Sequence, residues 1–154
     1  MPEPAIQFRV YGTPVTGGSK KAFVYRAKSG KMRAAITDDA GQRNKDWRAL
    51  VAMTAAKHAP DAMLTEAVAV SMRFVLQRPQ GHFGTGRNAG TLRASAPRYP
   101  TTKPDVIKLA RSTEDALKGV IWKDDNANVD LSLSKRYGER PGVEITITEL
   151  GDRP

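Results

Sequence analysis

Alternation of apolar and polar residues predicts four strands in this chain. Residues 6–11 read IQFRVY and residues 68–76 read VAVSMRFVL, and each segment places its apolar side chains on one face. Towards the C-terminus, residues 129–134 and 143–148 alternate as VDLSLS and VEITIT. A connection that contains Gly and Pro joins these last two segments, which predicts a terminal antiparallel pair.

Two further segments show helical periodicity. Within residues 39–57, apolar side chains recur at spacings of three and four, and Trp47 on that face is expected in the core. A second helix fits residues 106–118 and is closed by Gly119. No internal repeat is present, so we predict a small single domain over residues 1–154. Its class is α/β (α+β), a mixed sheet with two main helices and a C-terminal antiparallel strand pair.

A long basic loop at about 77–103 separates the second strand from the second helix. It is rich in Gly, Pro, Arg and Thr, and loops of this length are usually functional or disordered. Its arginines suggest a mobile arm that contacts DNA, in which Phe83 or Tyr99 stacks on an exposed base.

The charge of the chain indicates a polyanionic partner. The 154 residues carry a net charge of +9, and nucleic acid is the simplest partner for such a protein. No acidic residue occurs between Glu3 and Asp38 or between Glu66 and Asp105. Soluble surfaces usually mix both signs, so phosphate binding is favoured over solubility alone. The residues expected to bind DNA are Lys20, Lys21, Arg26, Arg87, Arg93, Arg98, Lys103 and Lys108.

Composition excludes several other chemistries. The chain has no cysteine, which removes disulfides, thiolate zinc sites and a cysteine nucleophile, and fits a reducing, cytoplasmic location. Its longest apolar stretches are too short to cross a bilayer, and its N-terminus lacks the pattern of a secretion signal. Its two histidines are not placed for serine–histidine catalysis.

Acidic residues cluster instead in the region 103–129, around the second helix and the turn after it. Carboxylates brought close together repel one another unless a cation neutralises them. Hard oxygen ligands suit Mg²⁺, for which Mn²⁺ can substitute. Such an ion activates water and offsets charge on a phosphodiester, so a metal-dependent nuclease is indicated.

Ordinary structural roles compete with this interpretation. Capping of the helix explains Asp105, and salt bridges to Arg111 or Lys118 explain Glu114 and Asp115. Capping does not explain the adjacent pair Asp124 and Asp125, which follows a second turn. The pair therefore favours a metal site.

These motifs resemble the RusA family of Holliday junction resolvases. The resemblance rests on KPD at 103–105, a helix ending in DAL-x-G, the DD pair before two strands, an N-terminal Gly-x-Pro and the KRYG-x-x-PGVEITI ending. It implies a small α/β fold and a homodimer that binds four-way DNA junctions. It also implies Mg²⁺-dependent paired nicking, and a phage or bacterial origin.

The family pattern KPD-x-D-N-x-x-K is only partly kept. Its second aspartate falls on Ile107, which cannot bind a metal, and the Gln-Val that usually follows the DD pair is Ala127-Asn128. The resemblance implies metal ligands at Asp105 and Asp125. The wider catalytic set expected is Asp105, Arg111, Glu114, Asp115, Asp124 and Asp125, in which Glu114 is included for its position on the helix and the others for their match to the family.

The loss of one carboxylate at position 107 leaves two explanations. Glu114 lies two helical turns further along nearly the same line, and Glu114 or Asp115 can supply the missing oxygen. The expected metal set is then Asp105, Asp125 and Glu114. Alternatively, the protein is a catalytically impaired junction-binding protein of the same fold. A basic RNA-associated or ribosome-associated protein would leave the Asp124–Asp125 pair unexplained.

Overall fold

Six strands and two α-helices make up the part of the chain described by a computed structural model, which comprises residues 6–17, 20–38 and 41–151. In chain order they are β1 Ile6–Tyr11, β2 Lys20–Arg26, β3 Met32–Asp38, α1 Gly41–Ala56, β4 Val68–Leu76, α2 Val106–Leu117, β5 Asn128–Tyr137 and β6 Gly142–Glu149.

Four of the strands form one mixed sheet in the order β1-β6-β4-β5. β6 is antiparallel to both of its neighbours, β1 and β4, whereas β5 lies parallel to β4 at the edge of the sheet. β2 and β3 form a separate antiparallel hairpin. The predicted mixed sheet with two main helices is thus confirmed.

The two C-terminal strands lie where the alternation predicts them and run in opposite directions, but they are not neighbours. β4 lies between them, with Val70 opposite Ile147 on one side and Leu131 on the other. The short connection between β5 and β6 crosses the end of β4, where Gly138 N donates to Leu76 O at 3.0 Å. Alternation predicts a strand and its faces but not its neighbours in the sheet. The strongly apolar sequence of β4 is typical of an interior strand, and β4 has a neighbour on each edge.

The core lies between one face of the sheet and the two helices. β1 alternates buried and exposed residues along its whole length, and β4 buries every second side chain. Trp47 on α1 is 2% exposed, which confirms its predicted place in the core. The faces that α1 and α2 turn inwards consist largely of Val51, Ala55, Leu109, Ala110, Ala116 and Leu117.

The long segment after β4 folds back on itself. Two short 3-10 turns shape it, and Phe83 forms an isolated bridge with Leu92. Gly84 N donates to Thr91 O at 2.9 Å, so the loop satisfies part of its own backbone. Its basic side chains are therefore carried on a defined surface beside β5. Neither helix in the described ranges has the length and apolar character needed to span a membrane.

The close approach of β1 and β6 generates a first prediction. A Cβ atom added at Gly142 would overlap Val10 O, which belongs to the backbone of β1 and cannot turn away. We expect Gly142→Ala to lower the melting temperature by about 3–10 °C, because overpacking costs about 1–3 kcal/mol. Gly90→Ala is the matched control, since a Cβ there meets no atom within 4 Å. Equal melting temperatures for the two variants would contradict this strand contact.

Candidate active site

Asp105 is the N-cap residue of α2, and its side chain binds the backbone of the first turn. Its Oδ1 accepts hydrogen bonds from Ile107 N at 2.8 Å and Lys108 N at 3.2 Å. These bonds satisfy backbone donors that no helical carbonyl can reach. The capping role considered for Asp105 is therefore present. Ile107 itself is 63% exposed.

Asp125 is held by the core at the opposite end of α2. After Gly119, which has a φ of +80°, the chain turns back and buries Trp122 completely. Trp122 Nε1 donates to Asp125 Oδ1 at 2.7 Å. Since the indole cannot move, this bond fixes the position of one carboxylate oxygen of Asp125.

Asp124 has a structural role that the sequence reasoning excluded. Its Oδ1 accepts from Asn126 N at 3.0 Å and so caps the 3-10 helix Asp125–Ala127. The inference that capping accounts for neither member of the acidic pair is therefore wrong for Asp124. The sequence pattern does not predict this 3-10 helix, because it spans only three residues. Of the pair, Asp125 is the member whose carboxylate faces the core side and the helix.

The side chain of Glu114 contacts the first residue of β5 and does not reach back to the start of α2. Its Oε2 accepts from Asn128 Nδ2 at 2.8 Å. Burial raises the pKa of the Glu114 carboxyl group above 4.5, and the charges of Asp125 and Asp115 raise it further. The hydrogen bond from Asn128 and the positive charge of Arg111 lower this pKa, but burial dominates. The carboxylate of Glu114 thus carries an uncompensated electrostatic cost.

Asn128 is the residue of this site to which sequence reasoning gave no role. Its amide oxygen is buried and has no hydrogen-bond partner among the described residues, and an unmet buried acceptor is unfavourable. The available signal was its departure from the Val that the family has at this position. Since Glu114 and Asn128 are bonded to each other, the two positions form one unit.

The predicted site residues fall into two groups at the two ends of α2. Glu114 and Asp125 lie at one end with Asn128, whereas Asp105 lies at the other. Nine residues separate Asp105 from Glu114, which corresponds to about 14 Å along a helix. Accordingly, in the described part of the chain, no three His, Cys, Asp or Glu side chains are grouped closely enough to share one metal ion.

Lys135 holds the segment before Asp105 in place, and sequence reasoning gave it no role. Its Nζ donates to Thr102 O at 2.8 Å and Pro104 O at 2.9 Å. These bonds tie the KPD segment to β5. A lysine on a strand gives no sequence signal for such a contact, because its partners are backbone oxygens of a distant loop.

Most of the residues predicted to bind DNA are on the surface. The side chains of Lys20 and Lys21 fall outside the described part of the structure, and so do residues 18 and 19 of the Gly-Gly-Ser segment before them. The remaining basic residues are all exposed, namely Arg26, Arg87, Arg93, Arg98, Lys103 and Lys108. Arg98 and Arg136 also lie over the ring of Tyr99, at 5.4 and 5.2 Å from its centroid.

A mixed α/β domain with the neighbouring carboxylates Glu114 and Asp125 and a set of exposed basic residues points to the class of proteins that act on nucleic acid. The family model described as Endodeoxyribonuclease RusA matches residues 14–148. The match covers most of the chain, so the protein belongs to the RusA endodeoxyribonuclease family. Membership confirms the resemblance drawn from the motifs and indicates an endodeoxyribonuclease of the kind that resolves Holliday junctions.

One curated relative matches over nearly the same length. It is the Bacillus subtilis protein described as "Uncharacterized protein YqaN", which is 33% identical over 145 residues. The match covers 94% of this chain and 96% of that protein. The similarity therefore extends across the sheet, the loop and both helices.

The raised pKa of Glu114 predicts how stability depends on pH. Because the folded-state pKa lies above the unfolded value, the folded state favours the protonated carboxyl group, and its stability falls as the pH rises through the folded pKa. We therefore expect Glu114→Gln to melt about 1–2 °C higher than the wild type at neutral pH in EDTA, the size typical of a partly exposed charge. Calorimetry at several pH values measures the difference, which should vanish well below pH 4.5.

Asp130→Asn is the control for that experiment, since it removes an exposed carboxylate of β5 outside this contact. It should not reproduce the pH dependence. A Glu114→Gln protein that melts lower than the wild type at neutral pH would show that the charge of Glu114 is already compensated.

Proposed function

We propose that this protein is a divalent-metal-dependent endonuclease that binds four-way and other branched DNA and resolves it by paired, symmetric nicking. The observation that carries the proposal is the hydrogen bond between Asn128 and Glu114 near the charge of Asp125, with the amide oxygen of Asn128 left buried and unpartnered, in a member of this family. Glu114 is the substitute for the carboxylate that Ile107 removes.

A cation fits this end of α2 on three counts. It would offset the repulsion between Glu114 and Asp125 and would be coordinated by the unpartnered amide oxygen of Asn128. Its charge would also lower the pKa of Glu114, which burial raises. All three donors are hard oxygens, which suit Mg²⁺ or Mn²⁺ better than zinc. When bound, the ion supplies an activated water and neutralises charge on the scissile phosphate.

The neighbouring side chains orient the ligands and the DNA. Trp122 fixes one oxygen of Asp125, and Asn128 fixes one oxygen of Glu114. Arg111 is exposed one turn before Glu114, and in this proposal it holds a phosphate oxygen. The exposed lysines and arginines of the loop and of α2 then hold the arms of the junction.

Dimerisation completes the site in this proposal. Asp105 lies too far along α2 to share an ion with Asp125 of the same chain, whereas a second copy can bring its own Asp105 close. β5 is an edge strand on which Val129 and Leu131 are 63% and 45% exposed. If two copies meet antiparallel along this stretch, the Asp125 end of each lies beside the Asp105 end of the other. A two-fold axis then gives two equivalent sites for two symmetric cuts.

The second candidate function is junction binding without cleavage. It is favoured by the exposed Ile107 and by the use of the Asp105 carboxylate in capping α2. A protein of this kind would still present the basic surface to branched DNA. Cleavage separates the two candidates, because binding is common to both.

Nicking of a synthetic four-way junction tests the metal ligands. We expect the purified protein to nick opposite strands with Mg²⁺ or Mn²⁺, and Asp125→Asn or Glu114→Gln to slow nicking by about 100-fold or more, since the metal supplies several kcal/mol. Junction binding in EDTA should persist in both variants. Asp61→Asn, which removes an exposed carboxylate outside α2 and β5, is the charge-matched control. Tight binding with no nicking by the wild type under either metal would select the second candidate.

Mixing inactive variants tests whether the site is shared between copies. Asp105→Asn and Asp125→Asn dimers are each expected to be inactive. A heterodimer of the two has one intact site if Asp105 of one copy works with Asp125 of the other. Subunit exchange should therefore restore nicking, with one strand of each junction cut. If each site lies within one chain, the mixture stays as inactive as its components, and the shared arrangement is wrong.

A further inference from the structure

A cavity of about 440 Å³ lies between the folded loop and the C-terminal end of β5. Its volume is within the range of about 300–1,000 Å³ that is usual for small-molecule sites. The side chains around it are those of Gln77, Arg78, Phe83, Leu92, Tyr137 and Glu139. Tyr137 is nine residues from Asn128 along β5, about 30 Å in a strand, so this cavity is separate from the acidic site.

One wall of the cavity is a stack of planar groups. Arg78 lies over the ring of Tyr137, with its Cζ 4.4 Å from the ring centroid. His82 supports the same ring edge-on at 5.4 Å, and Arg78 Nη1 donates to Pro97 O at 2.7 Å. Guanidinium planes and aromatic rings are the surfaces on which unstacked bases rest.

A second part of the lining is apolar and is held by the loop. Phe83 forms a bridge with Leu92 across the loop, and Phe83 O accepts from Arg93 Nε at 2.7 Å. The ring of Phe83 and the 46% exposed side chain of Leu92 therefore face the cavity from a held backbone. A flat ligand between the two walls would contact apolar surface on one side and the Arg78–Tyr137 stack on the other.

Glu139 is an exposed carboxylate in the lining of the cavity. Among the side chains that the structure describes, the one ion pair joins Arg9 to Glu144, so Glu139 has no cationic partner among them. A carboxylate at the rim of a basic loop repels phosphate, but it accepts hydrogen bonds from the exocyclic amino group of a base. Thymine has no such group, and its single ring donor, N3–H, lies between two carbonyl oxygens that repel a carboxylate.

We propose that this cavity binds a single unstacked nucleobase that carries an exocyclic amino group, with Arg87, Arg93 and Arg98 on the adjoining phosphates. The inference rests on the proposed function, because the branch point of a junction supplies bases that leave the stack at low cost. It adds to that function a base-reading position remote from the cut.

Binding of fluorescein-labelled single strands, followed by anisotropy, tests this proposal without any cleavage. We expect the full-length protein to bind oligo(dA) and oligo(dC) more tightly than oligo(dT), and an abasic strand most weakly. Phe83→Ala should weaken binding to the base-carrying strands by about 10-fold while leaving the abasic strand unchanged. Tyr99→Ala removes an exposed ring of the same loop outside the cavity and should keep the preference for dA and dC.

Glu139→Gln tests the selectivity separately. It should improve binding to oligo(dT) more than to oligo(dA) or oligo(dC), and so reduce the preference, whereas Glu66→Gln should raise affinity for all strands alike through charge alone. Equal affinity of the wild type for all strands, or identical effects of Phe83→Ala and Tyr99→Ala, would overturn the base-binding cavity. A four-way junction titrated in parallel reports on the proposed function: junction binding with no base preference defeats the cavity alone, and base preference with no junction preference defeats the function alone.

Discussion

The hydrogen bond from Asn128 to Glu114 joins the C-terminal half of α2 to the first residue of β5. It draws a carboxylate towards Asp125, which Trp122 holds from the core, and it leaves the amide oxygen of Asn128 buried and unmet. Both consequences are unfavourable in the protein alone and favourable around a cation. The proposed role of Glu114 as a substitute ligand depends on this contact, whereas the raised pKa of Glu114 comes from burial and is lowered by the hydrogen bond itself.

The exchange at position 107 is understandable in these terms. An aspartate on the first turn of α2 would place its oxygen near Asp105, whereas Glu114 places one near Asp125, about two turns away. In the proposed site, the number of carboxylates is the same as with an aspartate at position 107, but one of them lies further along the helix. In the proposed dimer, a site completed by a second copy would accommodate this shift, because the two ends of α2 would face each other across the two-fold axis.

Sequence patterns predicted much of the fold and a smaller part of the site. β1 and β4 were bounded correctly because apolar residues recur at every second position, and α2 was bounded to within one residue because Gly119 follows its end. β3 was missed because MRAAITD has weak alternation and pairs only with β2. The neighbours of β4 were not predictable from local patterns, since strand order depends on how the whole apolar surface is covered. Asp105 and Asp124 show the limit for the site: the same residue types serve as caps and as ligands.

Mn²⁺ binding, followed by the loss of its free-ion EPR signal, tests the central claim most directly. The wild type should bind Mn²⁺ in the absence of DNA, and both Glu114→Gln and Asn128→Val should weaken binding by about 10-fold or more, the range seen when a metal ligand or its support is removed. Asp130→Asn should bind like the wild type. Unchanged Mn²⁺ affinity in Glu114→Gln and Asn128→Val would show that the ion is held elsewhere, and the account of this site would be wrong.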